Sequence, residues 1–175
     1  RKFIGNGVKT LIERSIYVPQ YKMDEVEKDP SIDFVPITNS YVVEDLAFFT
    51  KVHADFVEYY LSHATVFTKP YEGINTLLRR LKDRKIALAV VTNKRDDLAR
   101  IIIDKYFPDT FELVIGDRAG HPKKPAPDSV LEVLERLHFT SADAVYIGDS
   151  NVDVETAENA GLKCIAVSWG YRNLY

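Results

Sequence analysis

The chain has 175 residues and a mass of 19.9 kDa, enough to bury an apolar core without disulfide or metal staples. A formal net charge of -3, with basic residues scattered along the chain, gives no electrostatic reason to expect nucleic acid as a partner. The single cysteine, Cys164, excludes an intrachain disulfide, and no apolar stretch approaches the roughly 18 residues of a membrane span. A reducing, cytoplasmic setting with no membrane partner is therefore expected.

Residues 1–68 carry helical patterns and no convincing strand. Leu11, Ile12 and Ile16 extend a helix begun near Gly7, and Val42 to Leu61 places Leu46, Phe49, His53, Phe56 and Tyr60 close to one face. A polar link containing Asp29-Pro30 and Val35-Pro36 separates them. From about residue 69 the rhythm changes. A helix marked by Ile74, Leu77, Leu78 and Leu81 leads to the continuous apolar run Ile86 to Val91, which suits an interior parallel strand covered on both faces.

The remaining elements alternate. A helix through Asp97 to Tyr106 is followed by a strand at Phe111 to Ile115, a helix at Ser129 to Leu137 and a strand at Ala144 to Ile147. A helix at Val152 to Ala160 and a strand at Cys164 to Ser168 close the series. The order predicts an α/β fold, a Rossmann-like doubly wound parallel sheet, with a helical module in residues 1–68 and the α/β core in residues 69–175. Cys164 is expected to be a buried strand thiol.

Three segments fall at carboxyl ends of predicted strands, where open α/β sheets place ligands. In Val91-Thr92-Asn93-Lys94, a threonine hydroxyl and nearby N–H groups can hold a phosphate oxygen, although a Thr-Asn pair also serves as a helix cap. In Lys123-Lys124-Pro125-Ala126-Pro127, the prolines stiffen the approach to a helix, so Lys124 can present its ammonium to a phosphoryl group. A solvated surface lysine is the plainer reading. In Gly148-Asp149-Ser150-Asn151-Val152-Asp153, two carboxylates lie four apart, one at the strand end and one in the next helix. Such oxygen ligands suit Mg²⁺, with capping by Asp149 or Ser150 as the alternative.

These three segments, in order, resemble the second, third and fourth motifs of haloacid dehalogenase-type phosphatases, and are most similar to the phosphoglycolate phosphatase-like subgroup. Phe3-Ile4-Gly5-Asn6-Gly7 resembles the start of that subgroup's helical cap, and Tyr71-Glu72-Gly73 its re-entry into the core. The resemblance implies that Thr92 binds the transferring phosphoryl group and Asn93 shapes its pocket. It further implies that Lys124 neutralises charge, that Asp149 ligates Mg²⁺, and that Asp153 supports the metal site or orients Lys124. Asn6 and Gly7 are implied on the leaving-group side of the substrate. The expected substrate is a small phosphorylated metabolite, phosphoglycolate first. The expected route is in-line attack by an aspartate, then hydrolysis of the aspartyl-phosphate.

The family's first motif, Asp-x-Asp-Gly-Thr at the end of the central strand, has no counterpart in the sequence. The chain opens on Arg1 without an initiator methionine and stops soon after Trp169-Gly170. A strand, turn and helix of roughly 30–45 residues are therefore expected upstream, and a last strand and helix downstream. Without the central strand, the sheet should show open edges in its middle. A phosphosugar mutase, a dehalogenase and a non-catalytic phosphate- and metal-binding protein are the rival readings. Oligomeric state is left open.

Overall fold

The computed structural model describes Ile12 and residues 46–170. The predicted helix beginning near Gly7 and the proline-bearing link lie outside these residues, Ile12 apart, which is helical and buried. The chain divides into two compact units between His63 and Ala64. In the first, helix α1 runs Leu46–His63, with the Phe56 and Tyr60 rings 5.7 Å apart and an exposed Lys51–Asp55 pair at helical spacing.

The second unit holds the alternating elements. Helix α2 (Ile74–Asp83) starts after Gly73, whose φ of 81° suits a residue without a Cβ. Strand β1 (Ala89–Arg95) leads directly into α3 (Asp96–Tyr106), and strand β2 (Leu113–Asp117) is followed by α4 (Asp128–Leu137). A 3-10 turn at Ser141–Asp143 precedes β3 (Val145–Gly148), α5 (Asn151–Asn159) and β4 (Lys163–Ala166). Both strand pairs are parallel, β1 with β2 and β3 with β4. Each pair is joined through a helix, as parallel strands require.

The α/β alternation agrees with the sequence reading, and element ends differ from it by a few residues. The largest difference is β1, which starts at Ala89 rather than Ile86 and runs on to Arg95. Pairing explains this. The ladder begins at Ala89↔Leu113 and resumes at Arg95↔Asp117 after an irregularity, carrying Thr92 and Asn93 inside the strand. Leu88 instead takes Glu112 as its partner through both main chain and side chain.

β1 also departs from the expected interior strand. It pairs with β2 alone, and no described strand joins β1 to β3, so the sheet stands as two separate pairs. β1 and β3 each keep one edge without a described strand partner. The two pairs are covered differently. Val114 and Ile115 are both buried, and because successive strand residues face opposite ways, β2 is covered on both sides. The covering comes from α3, through Leu98 and Ala99, and α4, through Val130 and Leu134. On β3–β4, α5 packs with Thr156 and Ala157 fully buried. Val145, Ile147 and Ile165 stay more than half exposed, with Ile147 and Ile165 adjacent in register. Cys164 sits in β4 as expected but is half-buried.

Candidate active site

The carboxyl ends of β1 and β3 and the loop before α4 hold the candidate side chains. Asn93, near the end of β1, faces the main chain of Lys124. Its amide nitrogen donates to the Lys124 carbonyl at 3.1 Å, and its amide oxygen accepts from the Lys124 N–H at 2.9 Å. One carboxamide thus fastens the main chain of one residue through both its N–H and its carbonyl. The next residue of the loop is held from another side, where Asn159 in the last turn of α5 donates to the Pro125 carbonyl at 2.9 Å. The Lys124–Pro125 peptide is cis.

With its backbone held, Lys124 extends its ammonium to Asp153 Oδ1 at 2.6 Å and to the Tyr146 hydroxyl at 3.1 Å. Tyr146 in turn lies 3.4 Å from the same carboxylate oxygen. The lysine and aspartate side chains are 13% and 9% exposed, so this is a largely dehydrated pair rather than a surface contact. The surface-lysine reading of Lys124 is thereby set aside. Burial by itself would lower the Lys124 pKa, but the electrostatic and hydrogen-bonding influence of Tyr146 and Asp153 outweighs it and raises the value. Burial likewise pushes the Asp153 carboxyl up, and the bonds from Lys124 and Ser150 more than reverse this.

The second oxygen of Asp153 is equally committed. It accepts from the Asp149 N–H at 3.2 Å, the Ser150 N–H at 3.1 Å and the Ser150 hydroxyl at 2.6 Å. Ser150 is the N-cap of α5 and Asp153 its third residue, so the two form a reciprocal capping box. The capping alternative therefore applies to Ser150. Asp153 caps the helix and also anchors the lysine. No room remains for a side chain at Gly148, where a Cβ would lie 2.2 Å from the Asp153 Cβ.

Asp149 follows β3 directly, and the chain beyond β4 passes over it so closely that a Cβ on Gly170 would lie 2.0 Å from the Asp149 Cβ. Thr92 is beside Asn93 in β1, and its hydroxyl oxygen accepts from the Lys94 N–H at 3.1 Å. That leaves the hydroxyl proton available to an anion. Asp117, the last residue of β2, pairs with Lys123 at 2.7 Å. The structure thus joins Asn93, Lys124 and Asp153 by direct bonds, and reaches Asp149 through its main chain. Asn6 and Gly7 lie outside the described residues.

For Mg²⁺, the carboxylate to consider is that of Asp149, directly after β3. Asp149 carries a hard carboxylate oxygen pair at a strand end, and both Asp153 oxygens accept from protein donors. Among the described residues, no group of three His, Cys, Asp or Glu side chains could hold a metal ion. Mg²⁺ commonly uses one or two carboxylates together with water and substrate phosphate, so Asp149 fits such an ion as one ligand.

Sequence reasoning missed Tyr146 and Asn159. Tyr146 had a signal: a phenol inside a short apolar strand needs a partner for its hydroxyl, and it lies on the strand face opposite Val145 and Ile147. Asn159 had none, because its partner is a main-chain carbonyl 34 positions away.

Residues 6–167 match the family model for haloacid dehalogenase-like hydrolases. The chain is 31% identical over 174 residues to a phosphoglycolate phosphatase of Aquifex aeolicus, covering 99% of this chain and 68% of that protein. It is 26% identical to the phosphoglycolate phosphatase of Pseudomonas putida, again over 99% of this chain but only 57% of that protein's length. Among solved structures, it is similar to one from Lactobacillus delbrueckii subsp. bulgaricus, provisionally assigned as a phosphoglycolate phosphatase. There the TM-score is 0.76 at 28% identity, covering 98% of this chain and 70% of that one.

Proposed function

The chain belongs to the haloacid dehalogenase-like hydrolases, and on that premise we propose that it carries the phosphoryl- and metal-binding groups of a phosphate-monoester hydrolase. The observation that supports this most is the Lys124 ammonium, dehydrated and held on Asp153, with the lysine's main chain fastened to Asn93 of β1. An ammonium so placed needs no reorganisation to meet the charge of a phosphoryl group. Thr92 is proposed to donate to a phosphoryl oxygen, Asn93 to seat the lysine loop, and Asp153 to orient the ammonium. Asp149 is proposed as a ligand of Mg²⁺, which when bound supplies further charge against the phosphoryl oxygens.

Residues 1–68 are proposed as the cap module, with Asn6 and Gly7 toward the leaving group. Phosphoglycolate is the proposed substrate, by likeness to the Aquifex and Pseudomonas proteins. The proposed route passes through an aspartyl-phosphate, whose Asp-x-Asp-Gly-Thr segment this sequence does not contain. Within that route, the chain's own residues bind and orient the phosphoryl group. Among the described residues, no helix is long and apolar enough to cross a membrane.

The test is phosphate release by the intact purified protein from phosphoglycolate and a panel of other small phosphate esters, across a magnesium titration. Release should depend on magnesium and be fastest with phosphoglycolate, and Asp149→Asn should lower it at least about a hundredfold. Retained binding of inorganic phosphate with no ester hydrolysed would instead favour the non-catalytic binding protein.

A further inference from the structure

We infer that Tyr146 is a positioning residue, whose phenol acts with Asp153 to fix two of the three N–H directions of the Lys124 ammonium and so aims the third at an anion. The inference deepens the phosphoryl-binding reading of Lys124 and rests on it.

The geometry is a closed triangle. Lys124 Nζ donates to Asp153 Oδ1 at 2.6 Å and to the Tyr146 hydroxyl at 3.1 Å, while the hydroxyl lies 3.4 Å from that same Oδ1. An ammonium on a four-carbon stem with one partner can still swing about that contact. Two partners at fixed positions remove the swing and leave one donor, in a defined direction. Asp153 cannot drift to accommodate a moving lysine, because its other oxygen is bound by Asp149 and Ser150.

The loop and the ammonium are held independently. Asn93 fastens the Lys124 main chain and Asn159 the Pro125 carbonyl, through bonds separate from those of the ammonium. Removing the phenol oxygen should therefore loosen the charged end while the loop stays seated. In its neutral form Tyr146 accepts from Lys124 and keeps the O–H that faces Asp153. Burial is the leading cause of its raised pKa, and Lys124 acts in the opposite direction. The ring itself lies with its centroid 5.7 Å from Nζ, a contact that phenylalanine would keep.

The experiment is NMR of the intact protein with ¹⁵N-labelled lysine, following the Lys124 ammonium during titration with inorganic phosphate, in the wild type and in Tyr146→Phe. Amide spectra and thermal midpoints serve as the check on folding. In the wild type, phosphate should shift the Lys124 signal. In Tyr146→Phe, ammonium hydrogen exchange should quicken and phosphate affinity fall roughly tenfold, the worth of one hydrogen bond to a charged group, with the fold unchanged. A Tyr146→Phe protein with wild-type exchange and affinity at Lys124 would overturn the inference alone. A wild-type Lys124 signal indifferent to phosphate would overturn the anion reading together with it. If the phenylalanine variant does not fold, 3-fluorotyrosine at position 146 weakens the acceptor with nearly the same shape. A smaller loosening then supports the inference, and none overturns it.

Discussion

Asp153 combines two duties that are usually separate: it caps a helix with one oxygen and holds a lysine with the other. Because Lys124 and Ser150 outweigh burial, its carboxyl titrates below the ordinary 3.8. A depressed carboxyl stabilises the fold at pH values above its unfolded pKa, and that contribution fades as pH falls through the folded value. The raised Lys124 gives the complementary limit, with its share lost only as pH rises through a folded value above 10.5. Asp153→Asn should therefore cost about 3 kcal/mol at neutral pH, the penalty for leaving one member of a buried pair uncompensated. The gap to wild type should shrink as pH drops below 3.8. Urea midpoints at neutral pH and near pH 3 measure it, and a gap undiminished in acid would show that charge is not its source. The pairing of Lys124 with Asp153 was legible in the sequence only through the resemblance, which left Asp153 either supporting the metal site or orienting the lysine. The partnership of Asn93 was not. An amide bonded to a distant peptide leaves no pattern in its own segment.

At the scale of elements, the site depends on chain segments approaching more closely than a Cβ allows. β3 meets the first turn of α5 at Gly148, and the segment after β4 crosses Asp149 at Gly170. Gly148→Ala should cost about 1–3 kcal/mol, as overpacking does, since the nearest obstacle is the fixed Asp153 side chain. Gly170→Ala lies beyond the last strand, so it should affect stability less but weaken magnesium binding by displacing Asp149. Thermal midpoints and a calorimetric magnesium titration separate the two effects. Equal behaviour of both variants would contradict the separate roles given to these glycines. The sequence showed the turn at Gly148, since a glycine between an apolar run and an acidic pair is plain. Strand limits were less legible. Apolar content set the expected start of β1 at Ile86, whereas the ladder with β2 sets it at Ala89.

In the second unit as a whole, the two parallel pairs differ in how they are covered. β2 is buried on both faces, while β3 and β4 present Val145, Ile147 and Ile165 to solvent. Protection from hydrogen exchange follows burial and packing. The slowest amides are therefore expected in β2, and those of β3 and β4 should exchange faster. Equal protection, measured by exchange mass spectrometry, would mean that the exposed face is covered in solution. The α/β order was legible from the apolar runs alone, because parallel strands and their helices impose distinct periods. The division into two pairs was not legible, because no residue pattern within these strands marks which of them pair.

The fastening of Lys124 by Asn93 has a consequence for how this chain tolerates change. The amide presents a donor and an acceptor to the carbonyl and the N–H of a single residue, Lys124. Aspartate would keep the shape but place an acceptor against a carbonyl, and leucine would keep neither bond. Position 93 is thus keyed to a carboxamide as a lock is to its blank. Even if its side chain never meets the reacting group, it has as little freedom to vary as one that does.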